Sequence, residues 1–171
     1  MRNHLIDFKV VSKVDECPDI SFIGEYTDTP DQWNIVADTG EFCIDTTDFL
    51  LKKRSRLRFF KPYAGGALPG TPEYKKYAMQ DFQRMQAYQN HDFCFIGIIA
   101  KAQIWNPITE IINVVHSGGI WGVESDSNKK YLETLANEQI DQLKTELSSL
   151  GFGSRAITYA IKRYYSGEIE A

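Results

Sequence analysis

The 171-residue chain lacks most features that mark a specialised class. Its three cysteines, Cys17, Cys43 and Cys94, are odd in number and widely spaced, with no CxxC pair. No disulfide framework and no cysteine-rich zinc site follows from them, and reduced thiols in a cytoplasm are expected. Long hydrophobic runs are missing too. The longest, residues 93–100, covers eight positions counting Gly97, against roughly 20 for a helix that crosses a bilayer. The first residues, MRNHLIDFKV, hold no apolar h-region and no small-residue cleavage site, so no signal peptide and no membrane partner are expected. Internal repeats and low-complexity segments are absent. What is present is ordinary for a globular protein. Hydrophobic residues make up 43% and charged residues 25%, which excludes wholesale disorder and a collagen-like fibre.

The net charge of −4 hides a segregation. Residues 14–51 carry ten acidic side chains and no Lys or Arg. Residues 52–61 then carry six basic side chains and no acid. Two explanations compete. Acidic and basic strands can neutralise each other across a sheet, since opposite charges on facing strands attract. Alternatively one block is a binding face, because a single-sign patch focuses field and steers a charged partner.

Alternation of apolar and polar residues predicts strands in the first half. Over residues 5–14, Ile6, Phe8, Val10 and Val14 fall on one side and Asp7, Lys9 and Lys13 on the other, the period of a half-buried strand. Ile20, Phe22 and Tyr26 mark a second strand. Residues 33–37 and 41–45 flank Asp38-Thr39-Gly40, a hairpin signal. Over residues 54–60, Arg54, Arg56 and Arg58 share one side with Phe60, while Ser55, Leu57 and Phe59 share the other. A helix is expected to open at Thr71-Pro72-Glu73, where Thr71 caps and Pro72 has no N–H to leave orphaned. It should run to about Asn90.

The second half predicts a long strand over residues 93–105 and a returning strand over 109–117. The latter is apolar on both sides and so is expected at the centre of the sheet. Ser125, Asp126 and Ser127 are read as the cap of another helix, which stops at Gly151. A short third helix is expected over residues 154–165. The sum is an α+β protein with a mainly antiparallel sheet of six or seven strands and two main helices in the C-terminal half. Residues 1–153 are expected to form a single domain, followed by a C-terminal helix and frayed tail over 154–171.

Motifs for chemistry are sparse. The glycines of residues 61–70 do not follow GxxxxGK[ST], and the three histidines show neither HxH nor HExxH spacing, so no phosphate loop, metal or cofactor is expected. His116, Ser117, Glu124 and Asp126 are the one place where a base, a hydroxyl and carboxylates crowd together. Consecutive strand residues face opposite ways, which argues against a direct Ser117–His116 pair. No catalytic residue is assigned, and an enzyme built on His116 and Glu124 is kept only as a remainder. The Arg54, Arg56 and Arg58 face, with Phe60, has the phosphate-tracking and base-stacking groups of a nucleic-acid surface.

Two stretches carry a resemblance. They are Asp81-Phe82-Gln83-Arg84-Met85 with Tyr88, Asp92-Phe93-Cys94-Phe95-Ile96-Gly97, Ala100 and Ala102, and then Ser117-Gly118-Gly119-Ile120-Trp121-Gly122-Val123-Glu124-Ser125-Asp126-Ser127 with Tyr131-Leu132. Together, over residues 77–151, they resemble a family of small uncharacterised proteins of bacteriophages, prophages and other mobile elements. Trp121, Glu124 and Asp126 are its signature residues here. The resemblance implies origin and carries over no reaction. Accessory proteins of mobile elements often bind a macromolecule, including host defence assemblies such as a CRISPR complex.

The function expected from these readings is that of a phage-type binding protein without catalytic activity, working in the host cytoplasm. It would inhibit a host defence complex through protein contacts. Its acidic residues Asp28, Asp31, Asp38, Glu41 and Asp45 would present phosphate-like charge to a host protein or ribonucleoprotein. The alternative is a nucleic-acid-binding module that uses the basic strand 52–61.

Overall fold

A computed structural model describes residues 3–36, 42–44, 54–56 and 59–166. In chain order the strands are β1 (His4–Val14), β2 (Gly24–Thr27), β3 (Ile35–Val36), β4 (Phe42–Ile44), β5 (Arg54–Arg56), β6 (Phe59–Pro62), β7 (Phe95–Asn106), β8 (Ile111–His116) and β9 (Ile120–Glu124). The helices are α1 (Pro72–Gln89), α2 (Lys129–Ser149) and α3 (Ser154–Ser166). The class is α+β. Every described strand pairing is antiparallel, and the strands are divided among three sheets rather than gathered in one. The chain forms two compact units, one made of Met1–Pro18 and Cys94–Ala171, the other of Asp19–Phe93. Among the described residues no helix is long and apolar enough to cross a membrane.

In the first unit β7 is the central strand. β1 pairs along one side of it, and β8 followed by β9 pairs along the other. The expectation of a central strand over residues 109–117 is therefore corrected: among the described residues β8 pairs with β7 alone and lies at the sheet margin. Its two-sided apolar pattern does not signal burial, since Ile111, Ile112 and Val114 are each more than half exposed. The alternate residues Ala100, Ala102 and Ile104 of β7 face the helices. With Phe8, they form a core with Ile140, Leu143 and Leu147 of α2 and Ile157, Ala160 and Ile161 of α3. A smaller group, Ile98, Val123 and Leu135, continues it toward the other end of β7.

One shift of register changes the reading of β1. Leu5 pairs with Ile104 but Asp7 pairs with Gln103, so Ile6 is an extra residue. Such a bulge reverses the alternation on either side of it. Leu5, Phe8 and Val10 consequently pack on the core, and Ile6, expected inside, is exposed.

In the second unit β6 lies between β2 and β3, and β4 pairs with β5. The expected connection Asp38-Thr39-Gly40 lies outside the described residues, and β3 and β4 are described pairing with β6 and β5. The acid–base neutralisation across strands occurs once among the described pairs: Lys61 Nζ lies 3.0 Å from Glu25 Oε1 across β2 and β6. Both side chains are well exposed, so this pair contributes little to stability.

Helix α1 begins as the sequence predicts, with the Thr71 hydroxyl accepting the Tyr74 N–H at 3.1 Å. Its Ala78 and Met85 are buried. Phe82 packs 5.5 Å from the ring of Phe60. The Asp81 carboxylate accepts the Ala64 N–H at 2.6 Å, tying α1 to the turn after β6. Burial raises the pKa of that carboxyl, opposed by the backbone hydrogen bonds from Ala64 and Tyr63.

Candidate functional site

The first unit's sheet has two faces, and the helices take only one. Because side chains alternate along a strand, the β7 residues between the core positions, Gly97, Ile99, Lys101, Gln103 and Trp105, lie on the opposite face. Register carries that face onto the neighbours. Lys13 is level with Gly97, Val11 with Ile99, Lys9 with Lys101, and Asp7 with Gln103. On the other side His116 is level with Lys101, Val114 with Gln103 and Ile112 with Trp105. Directly opposite side chains in such a pair start about 5 Å apart. Three lysines from β1 and β7 therefore converge on one patch, with an imidazole at its margin.

The electrostatics of this patch are unfavourable to itself. The Lys101 pKa is lowered, first by partial burial and then by the nearby Lys13 and Lys9 ammonium groups. Lys9 has a distant partner in Asp7, whose Oδ2 is 4.0 Å away. The other oxygen of that carboxylate accepts the Phe8 N–H at 2.8 Å. Among the described residues neither Lys13 nor Lys101 is ion-paired. Three cations crowded together with Asp7 as their one carboxylate partner cost folding energy, and such local conflicts concentrate where a protein binds something.

Two indoles border the patch. A Cβ built on Gly97 would meet the Trp121 ring at Cε3, Cδ2 and Cζ3, the last two both at 2.6 Å. Three neighbouring ring atoms at nearly equal distance mean that Trp121 lays its face on the Gly97 backbone. With that face covered, the residue is still 47% exposed. At the far end of the same face Trp105 is partly exposed, with the His4 ring 5.7 Å away.

The Ser117-Gly118-Gly119 segment is where β8 stops and β9 begins. The Ser117 N–H donates to the Ala100 carbonyl at 2.9 Å, and its hydroxyl accepts the Ala100 N–H at 3.0 Å. Gln139 of α2 reaches in to accept the Gly119 N–H at 3.0 Å. Ser117 and Gln139 are both buried, and together they satisfy the backbone where the strand breaks. Ser117→Ala would leave the Ala100 amide without its acceptor, at an expected cost of about 1–3 kcal/mol. A shift in the urea midpoint measures it, and an unchanged midpoint would show that the hydroxyl does not hold the break.

His116 is level with Lys101 and Glu124 with Phe95, six β7 residues apart, or about 20 Å at the strand rise of about 3.3 Å. They do not share a site, and Ser117 is committed to the sheet. The His116 Nδ1 lies 3.1 Å from the Ser117 carbonyl, which suits an Nδ1–H tautomer donating to it. The expected capping role of Ser125, Asp126 and Ser127 is corrected. Asn128 caps α2, its Oδ1 accepting the Tyr131 N–H at 2.9 Å. Ser125 instead pairs with the backbone of Cys94, accepting its N–H at 2.9 Å and donating to its carbonyl at 2.8 Å. Glu124 is half-buried at the end of β9, and Asp126 is exposed in the turn that follows.

Of the acidic set, Asp28 and Asp31 lie in the loop after β2, with side chains engaged locally. Asp28 Oδ1 accepts the Thr29 hydroxyl at 3.3 Å, and Asp31 Oδ1 accepts the Trp33 N–H at 2.8 Å. Asp38, Glu41, Asp45 and Arg58 lie outside the described residues, and Arg54 and Arg56 are described only as the ends of β5. Phe60, expected on the exposed arginine side, is corrected to a core position. It is fully buried with Tyr26 at 5.3 Å and Phe82 at 5.5 Å, so it stacks on protein and has no face for a base. The second unit also holds an open groove of about 610 Å³ beside Trp33, Gly70, Tyr74 and Met79. The Tyr74 hydroxyl donates to the Trp33 carbonyl at 3.3 Å, and its pKa is raised by burial and then by Asp31 and Asp81. Among the described residues no three His, Cys, Asp or Glu side chains come together as a metal site.

The lysine cluster is not legible along the chain because its members lie in two distant segments. Lys9 and Lys13 alternate visibly in β1, and Lys101 is a lone charge inside an apolar strand. A charged residue in the middle of a buried run is the signal that marked it. No family model matches this chain, and no curated protein or solved structure is significantly similar to it.

Proposed function

We propose that this chain is a non-catalytic binding protein whose ligand is the phosphate backbone of a nucleic acid, taken on the first unit's sheet face by Lys9, Lys13 and Lys101. The observation that carries this reading is the convergence of the three ammonium groups on one rigid sheet. The net charge of −4 does not oppose it. At physiological salt the Debye length is about 8 Å, so a bound phosphate feels the nearby patch rather than the sum over the chain. In this reading the nucleic-acid role expected for the basic strand 52–61 is carried by β1 and β7. The resemblance to mobile-element proteins supplies the setting, an accessory protein acting in the host cytoplasm.

Salt dependence tests it. Each neutralised phosphate of a single strand contributes a slope of about −0.7 to log affinity against log salt, so three contacts give about −2. Replacing all three lysines by glutamine should flatten that slope and weaken binding of a labelled oligonucleotide, read by fluorescence anisotropy. Thermal stability should hold or rise, because crowded like charges are removed. Equal binding by the triple variant rejects the reading. The host-defence inhibitor reading would then take its place if a nuclease-resistant protein partner is captured and lost on charge reversal of Asp28, Asp31, Asp38, Glu41 and Asp45.

A further inference from the structure

Resting on that reading, we propose that the ligand is single-stranded and that Trp121 is the platform on which one of its unpaired bases stacks. Three features of the face converge on this. Trp121 has one π-face on Gly97 and is still 47% exposed, so the ring is seated on the sheet with surface left for a stacked base. Lys13 stands level with Gly97 on the neighbouring strand, which sets a cation beside the ring where the phosphate of a stacked nucleotide can reach it. The face also carries an indole on either side of the Lys101 row. From the Gly97 row, which bears Trp121, to the Lys101 row is four residues of β7, and from there to Trp105 four more. At about 3.3 Å per residue the two rows that bear the indoles are roughly 26 Å apart, with Lys13 in the Trp121 row and Lys9 and Lys101 midway.

A duplex has little use for such a surface. Its bases already stack on one another and present only edges and backbone, whereas an unpaired base offers a full π-face to an aromatic ring. Aromatic platforms along a basic track are how single strands are held without sequence readout. Gly97 has a positioning role here. Any side chain at that point would meet the Trp121 ring and lift the indole off the sheet.

The experiment titrates the full chain with four labelled probes: an oligo-dT single strand, an abasic single strand of the same length, a duplex, and inorganic polyphosphate. Each is run on the parent chain, Trp121→Ala and Trp121→Phe. The parent should prefer oligo-dT over both the duplex and the abasic strand. Trp121→Ala should lose about 5- to 150-fold for oligo-dT, the equivalent of one stacked base, and nothing for the abasic strand. Trp121→Phe keeps a π-face and should recover most of the loss, which separates stacking from a folding defect. If single strand, duplex and abasic strand bind alike and Trp121→Ala changes none of them while the lysine variant still does, the stacking role is overturned and backbone binding stands. If no probe binds the parent chain, both readings fall together.

Discussion

Replacing Leu143 by alanine should destabilise the first unit by about 2–5 kcal/mol, the range for emptying a fully buried leucine site. Leu143 is completely buried in α2, within the cluster that joins the helix to Phe8, Ala100, Ala102 and Ile104 and to Ile157, Ala160 and Ile161 of α3. The cost should lie toward the upper part of that range because the cavity cannot easily collapse. Ala100 and Ala102 have no longer side chain to swing into the space, and their backbone is held in the central strand. Hydrogen exchange should show lost protection in β1, β7 and α2. Leu150 is the control. It follows α2 and is 57% exposed, so Leu150→Ala should stay within ~0.5 kcal/mol. A Leu143→Ala protein as stable as that control would mean that α2 does not pack on the sheet as described. Because the lysine face is the reverse side of the same sheet, nucleic-acid affinity should fall with the loss of protection.

Gly24→Ala should produce a comparable loss in the other unit. Gly24 opens β2 with φ at +142°, and an added Cβ would lie 2.5 Å from the Lys61 carbonyl oxygen and 2.7 Å from the Phe60 ring. Neither neighbour can yield. The carbonyl belongs to the paired strand β6, and Phe60 is wedged between Tyr26 and Phe82. Backbone strain of roughly 1–3 kcal/mol adds to an overpacking cost of about 1–3 kcal/mol. Exchange protection should drop in β2, β6 and α1.

This variant also separates the functional readings. The acidic segment from Asp19 onward and the basic block 52–61 belong to the second unit, whereas Lys9, Lys13, Lys101 and Trp121 belong to the first. Proteins open in contiguous cooperative units, so oligonucleotide binding should survive Gly24→Ala while second-unit protection is lost. Binding that disappears with that protection would return the ligand to the second unit.

Local rules carried much of the fold. Thr71 caps α1 because a hydroxyl followed by proline satisfies an N-terminus wherever the helix lies. Steps of two along residues 93–105 put Ala100, Ala102 and Ile104 on one side, and steps of three and four put Ile140, Leu143 and Leu147 on one face of α2, since apolar periodicity is a property of the segment itself. The failures have a common cause. The pattern puts Ile6 inside, but a bulge exists only relative to a partner strand. Two-sided apolar sequence in β8 states what a strand tolerates and not what covers it. Counting in twos from Arg54 groups Phe60 with the arginines, yet residues 54–56 pair with β4 and residues 59–62 with β2 and β3. Ser125 has the residue type of a cap, but its hydroxyl closes the sheet onto Cys94.

By itself the amino-acid sequence determined the mixture of strands and helices, the helix spans and the two charged blocks, because each depends on residues within a few positions of one another. Only the tertiary structure decided which charges meet. Lys9 and Lys13 join Lys101 across some ninety residues of intervening chain, and Trp121 finds its seat on Gly97, through backbone register. Register is set by long-range pairing and packing, which no single segment encodes.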